Sequence, residues 1–117
     1  MKFNFNYKKK KFCIDVKECN SFFSKLSGLM FHLKSKPLLF NFNKKVSISI
    51  HSFFCLPFLA IWFSDEKIIN FKFIKSFESF IKPRFKFNKL LEIPINSNFF
   101  SELSKDLNLN FDKLPTT

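Results

Sequence analysis

Residues 53–63, Phe-Phe-Cys-Leu-Pro-Phe-Leu-Ala-Ile-Trp-Phe, form the longest apolar run of the chain. The run is about half the ~20 residues a membrane-spanning helix requires. Extending it back to Val46 brings in Ser47, Ser49, His51 and Ser52, and Pro57 interrupts it. A short apolar run bounded by turn residues reads as a strand buried on both faces. Asp65-Glu66 then supplies a tight turn into residues 67–74, which return to cover the same core. No membrane span is expected.

The preceding segments feed strands into that core. Residues 2–7 alternate strictly, with Phe3, Phe5 and Tyr7 on one face and Lys2, Asn4 and Asn6 on the other, the period of a half-buried strand. Phe12, Ile14 and Val16 resume the alternation in the opposite phase, so a turn or bulge falls within Lys8–Lys11. Asn20 or Ser21 would cap a short helix ended by Gly28, the single glycine of the chain. Residues 38–42 and 46–50 read as a hairpin turning at Asn43-Lys44, with Ser47, Ser49 and His51 on its open face. Strands are expected at 59–63, 67–74 and 85–95, with Pro94 marking an end or an edge. Ser97 or Asn98 should cap a helix over 98–104, and Leu107, Leu109 and Phe111 should form a last strand. Seven or so short strands predict a mainly-β single domain, a small sandwich or open barrel of antiparallel strands with one or two short helices. Residues 113–117 should fray.

Composition excludes more than it assigns. One glycine cannot build a phosphate-cradling loop or a dinucleotide fingerprint. The net charge of +11 favours anionic partners, nucleic acid or an anionic surface. The plain reading is that Lys, Asn, Phe and Ile reflect compositional drift and that the charge only keeps the chain dissolved. Cys13, Cys19 and Cys55 show no Cys-x-x-Cys spacing, which fits reduced thiols and a cytoplasmic setting. The basic first residues lead into Lys8–Lys11, with no apolar segment of the kind a signal peptide carries.

Three constellations carry candidate chemistry. Ser47, Ser49, His51 and Ser52, with Glu92 as a possible orienting acid, form a candidate ligand groove or, read more sharply, a Ser-His hydrolytic pair. The plain alternative is a histidine that hydrogen-bonds at a strand end. Lys82, Arg84, Lys86 and Lys89 interleave with Phe85 and Phe87 as a candidate basic face on which bases could stack. Against this, alternation alone would turn both Phe rings inward as ordinary core. His32, His51, Cys13, Cys19 and Cys55 fit no ligand spacing, so no metal and no cofactor is expected.

The segment Gly28-Leu29-Met30-Phe31 is similar to the early motif of the domain-of-unknown-function 192 family. Further likeness follows in order. Leu38-Leu39-Phe40 resembles its apolar strand, and Ser49-Ile50-His51-Ser52-Phe53-Phe54 with Pro57 resembles an archaeal-type central segment. Ile61-Trp62-Phe63-Ser64-Asp65 with Lys67-Ile68-Ile69 looks like its hairpin. Pro83, Leu90-Leu91-Glu92-Ile93-Pro94 and Asp106-Leu107 look like its late strands. The resemblance spans about residues 10–112. Ala60 stands where the family commonly has Asp, His32 where a basic residue is frequent, and Ile95-Asn96 where Ala-Gly is usual. It implies a compact mainly-β domain and supplies no reaction.

The reading is therefore a non-catalytic binding or accessory module for a protein or small ligand. A basic surface for RNA or single strands is the alternative, and a hydrolase using His51 comes third.

Overall fold

The computed structural model describes residues 1–19, 37–50, 57–75 and 80–107. Strands β1 (Lys2–Tyr7) and β2 (Lys10–Asp15) form an antiparallel hairpin, pairing Phe5 with Phe12 and Tyr7 with Lys10. The phase switch predicted within Lys8–Lys11 is a two-residue turn, with Lys8 at φ 48° and Lys9 at φ 68°. Two consecutive left-handed residues match the right-handed twist of a hairpin, though lysine adopts that region at a cost. The amino terminus closes the open end, with its ammonium 3.2 Å from Asp15 Oδ1.

A five-stranded sheet has the order β3-β4-β7-β5-β6, built from β3 (Lys17–Cys19), β4 (Leu38–Val46), β5 (Phe58–Ser64), β6 (Lys67–Ile74) and β7 (Phe87–Pro94). β3 and β4 run parallel and every other pair is antiparallel. The β5–β6 hairpin turns at Asp65-Glu66 as expected, with Asp65 at φ 58°. The turn is clamped from neighbouring strands. Asp65 N–H donates to Asn88 Oδ1 at 2.8 Å, Asn88 Nδ2 donates to Asp65 Oδ1 at 3.2 Å, and Lys89 Nζ donates to the Asp65 carbonyl at 3.2 Å.

Two expectations are corrected here. Residues 38–46 are one continuous strand and not a hairpin turning at Asn43-Lys44. No residue there has a positive φ, and β7 supplies the partner that a return strand would have given, across a bulge between Asn41 and Val46. Ser47 and Ser49 consequently lie outside any strand, and Ile50 makes an isolated bridge to Ile81. The late strand also begins at Phe87 and not at residue 85.

Both faces of the sheet are packed. The first buries Leu39, Leu59, Ile61, Phe63, Leu91 and Ile93 beneath the β1–β2 hairpin and helix α1 (Asn98–Asp106). Phe63 is met edge-on by Phe3 at 5.3 Å and by Phe5 at 5.4 Å, ring geometries that the aromatic quadrupole favours. The second face buries Leu38, Phe40, Phe58, Ala60, Trp62, Phe87 and Leu90 with Ile74 and Ile81. Because β5 is covered on both sides, its residues 58–63 read as an uninterrupted apolar run. Two sheets that do not close into a barrel, with one described helix, fit the mainly-β class expected as a small sandwich or open barrel, the parallel β3–β4 pair being the one departure from antiparallel pairing.

The helix is set by its first residues. Ser97 is the N-cap, its hydroxyl accepting from Phe99 N–H at 3.2 Å, and Phe100 and Leu103 face the core. Leu107, expected to open a strand, instead caps the helix through its N–H to the Leu103 carbonyl at 2.9 Å. The helix is tied to the hairpin by Lys10, whose Nζ lies 2.8 Å from Asp106 and 3.7 Å from Glu102. The hydrogen bond to Asp106 holds the Lys10 ammonium above its ordinary range. The helix expected near Gly28 and the strand expected beyond Leu107 lie outside the described residues.

Candidate functional site

The members of the serine and histidine groove have unequal placements. Ser47 and Ser49 are exposed beyond Val46, which pairs with Phe87 at the start of β7. Glu92 is five residues further along β7, opposite Leu38 and Ala60, and only 6% exposed. It therefore stands apart from the two serines, in the buried row of the second face. His51 and Ser52 lie outside the described residues, as does His32.

Glu92 is chemically unusual for its position. No described residue hydrogen-bonds or ion-pairs with its carboxyl, and its neighbours across the sheet are apolar. Burial without a compensating charge disfavours the carboxylate, and the group is pushed up to about 8. At neutral pH it is a carboxylic acid and so a hydrogen-bond donor. Trp62 shares the same face, since Ala60 pairs with Glu92 and Trp62 with Leu90, which makes Trp62 and Glu92 diagonal neighbours. The indole is 1% exposed, edge-on to Phe87 at 6.4 Å, and its Nε1–H has no acceptor among the described residues. Sequence reading did not single out Trp62, although a polar N–H inside a strand buried on both faces was a signal for it.

The basic face takes a form that alternation did not predict. Ile81, Pro83 and Phe87 point inward and anchor the segment, while Lys82, Arg84 and Lys86 are exposed. Phe85, expected in the core, is instead 65% exposed, and Phe80 is 87% exposed. The reason is local. The chain between Ile81 and Phe87 is irregular, Pro83 has no N–H to place in a ladder, and the period of two is broken there. Phe80 also holds φ 57°, a strained conformation for a bulky residue and of the kind that concentrates at binding sites. None of Lys82, Arg84 and Lys86 has an ion-pair partner among the described residues. Lys89 differs from them, being half-buried on β7 and engaged with the Asp65 carbonyl.

Among the described residues no three His, Cys, Asp or Glu side chains converge as a metal-ligand set, and Cys13 is exposed. No described helix is long and apolar enough to cross a membrane. Two open hollows border Glu66, one of about 530 Å³ beside Asn4 and Cys13, the other of about 660 Å³ beside Asp65 and Lys89. Neither is lined by Glu92 or by residues 80–86.

No family model and no curated protein matches the sequence. Two solved structures share the fold. One is a protein of unknown function from Novosphingobium aromaticivorans, with a TM-score of 0.72 at 14% identity over 92% of this chain and 77% of that one. The other is a candidate transcription regulator from Sinorhizobium meliloti, with a TM-score of 0.72 at 15% identity over 92% of this chain and 84% of that one. Likeness at these identities establishes architecture and leaves activity to the site.

Proposed function

We propose that this chain is a non-catalytic binding module whose contact surface is the loop of residues 80–86, and that its partner is single-stranded nucleic acid. The observation that carries the reading is the joint exposure of Phe80 and Phe85 beside Lys82, Arg84 and Lys86. Exposed rings next to unpaired cations are what a sequence-tolerant stacking surface requires, since every base has a π-face and every nucleotide a phosphate. The objection that ordinary core packing would explain the phenylalanines holds for Phe87 and fails for Phe85. The positive charge of the whole chain adds long-range attraction. The description of the Sinorhizobium meliloti neighbour as a regulator is compatible with such a partner, as an analogy of fold. The resemblance to the domain-of-unknown-function 192 family rests on the quoted segments and adds no reaction to this reading.

Fluorescence anisotropy with a labelled oligouridylate tests it. Three cationic side chains on a single strand predict a slope of about −2 for log affinity against log salt. Phe80→Ala with Phe85→Ala should lower affinity about tenfold or more while leaving thermal unfolding unchanged, because both rings are outside the core. Undetectable binding at low salt, or an unaltered affinity in the double variant, would reject the proposal.

A further inference from the structure

The β1–β2 turn carries a charge that the reading of residues 80–86 leaves unused. Lys8 and Lys9 occupy its two central positions at φ 48° and φ 68°, and Lys10 and Lys11 follow directly, all four exposed. Consecutive left-handed positions in a two-residue hairpin turn favour Asn and Gly, because the side chains of other residues crowd the backbone there. Compositional drift does not account for the lysines, since drift towards Lys is equally drift towards Asn, and Asn4 and Asn6 stand in the adjoining strand. Lysine held where asparagine fits better points to a use for its charge. The turn is also anchored at its base. Tyr7 meets Phe71 edge-on at 6.1 Å, Lys8 Nζ lies 5.4 Å from the centre of the Tyr7 ring, and Lys10 is fixed by Asp106 and Glu102 of α1. Lys9 and Lys11 have no ion-pair partner among the described residues.

We propose that this turn is a second phosphate contact, and that a single strand of RNA stacked on residues 80–86 continues to it across the two hollows that share Glu66. The proposal rests on the single-strand reading of residues 80–86. The hollow of about 660 Å³ starts at Lys89, three residues beyond Lys86, and includes Lys67. The hollow of about 530 Å³ lies along the hairpin, where Asn4, Asn6 and Lys11 supply donors. Asn6 is opposite Lys11, one pair from the Tyr7–Lys10 pair that closes the turn. The path thus joins two cationic loops through side chains that donate to phosphate. Two acids border it. Asp65 is paired with Lys45 at 3.4 Å and bonded to Asn88. Glu66 is exposed and has no ion-pair partner among the described residues; an acceptor set between donors suits a ribose, whose 2′-hydroxyl donates and which DNA lacks.

Anisotropy with labelled oligouridylates of two lengths, a hexamer and a twenty-mer, tests the path. At about 3.4 Å per nucleotide the hexamer covers about 20 Å, less than the narrowest dimension of the molecule, 28 Å, and the twenty-mer exceeds the widest, 37 Å. The slope of log affinity against log salt should be steeper for the twenty-mer by about 2, for the phosphates met by Lys8, Lys9 and Lys11. Lys8→Asn with Lys9→Gly should make the twenty-mer slope shallower by about 1.4 and its affinity about tenfold weaker at low salt, and leave the hexamer unchanged. Lys8→Gln with Lys9→Gln removes the same charges without suiting the turn better, and should bind as that variant does. A deoxyuridylate twenty-mer should bind about fivefold more weakly than the ribo form, and Glu66→Ala should abolish the difference. Equal slopes for the two lengths, lysine variants that bind the twenty-mer as the wild type does, or equal ribo and deoxy affinities would overturn the proposal and leave the loop reading intact. Lysine variants that keep the RNA but lose binding to phosphatidylglycerol vesicles would assign the turn to a lipid surface, and overturn it equally. If Phe80→Ala with Phe85→Ala binds both lengths unchanged, the loop reading is rejected, and the path that starts there falls with it.

Discussion

Glu92 sets how stability depends on pH, in the direction opposite to that of most carboxylates. Its folded-state value, about 8, lies above the ordinary 4.5. Below pH 4.5 both the folded and the unfolded chain hold the proton, and the group contributes no pH dependence. Between pH 4.5 and 8 the unfolded chain releases the proton while the folded chain keeps it, so stability falls as pH rises. Above pH 8 the penalty is complete, about 5 kcal/mol from the size of the shift. Urea midpoints measured from pH 4 to 9 should decline across that window in the wild type and stay nearly level in Glu92→Gln. A wild-type midpoint that rises with pH there would contradict a buried acid. A second effect at this scale belongs to the hairpin turn. Lys8 and Lys9 occupy a region that lysine enters at about 1 kcal/mol or more each. Lys8→Asn with Lys9→Gly should therefore raise stability by about 1 kcal/mol, seen as a higher urea midpoint at unchanged slope. A lower midpoint would mean that the lysines make contacts the backbone geometry does not reveal.

Among the elements, α1 depends on its first turn. Ser97→Ala removes the hydroxyl that satisfies Phe99 N–H and should cost about 1 kcal/mol, measurable as a fall in melting temperature; no change would show that solvent caps the helix equally well. This cap was readable in advance because it depends on residues adjacent in sequence. So were β1, β6 and the turn at Asp65, where alternation and turn chemistry are local. The features that escaped prediction depend on distant partners. Nothing near Asn43 announces that β7 will pair along β4 and remove the need for a return strand. Glu92 sits in Leu90-Leu91-Glu92-Ile93, where apolar residues on both sides hide the alternation that would place a single acid inward or outward. Phe85 was assigned to the core by starting the strand at residue 85 and alternating with Phe87, whereas the ladder begins only at Phe87. The candidate site was thus legible as a set of residue types: one acid, a group of cations and interleaved phenylalanines. Which of them are buried and which exposed was not.

At the scale of the whole molecule, the first face holds the hairpin, the sheet and the helix together. Phe63 is the point where they meet, fully buried and in edge contact with Phe3 and Phe5. Phe63→Ala should cost about 3–5 kcal/mol, a large share of the stability of a domain this size, and should expose the β1–β2 amides to hydrogen exchange before those of β5. Simultaneous exchange of both elements would instead indicate a single cooperative unit. The position of β7 carries a further implication. During synthesis the ribosome releases β4 and β5 well before the strand that belongs between them. Until residues 87–94 emerge, two apolar ribbons wait with their facing edges open, and any other extended chain in the vicinity can take the vacant place. The hazard for this protein thus lies in the interval of its own translation more than in its finished form, and crowded, rapid expression should enlarge the insoluble fraction more than heating the purified chain would suggest.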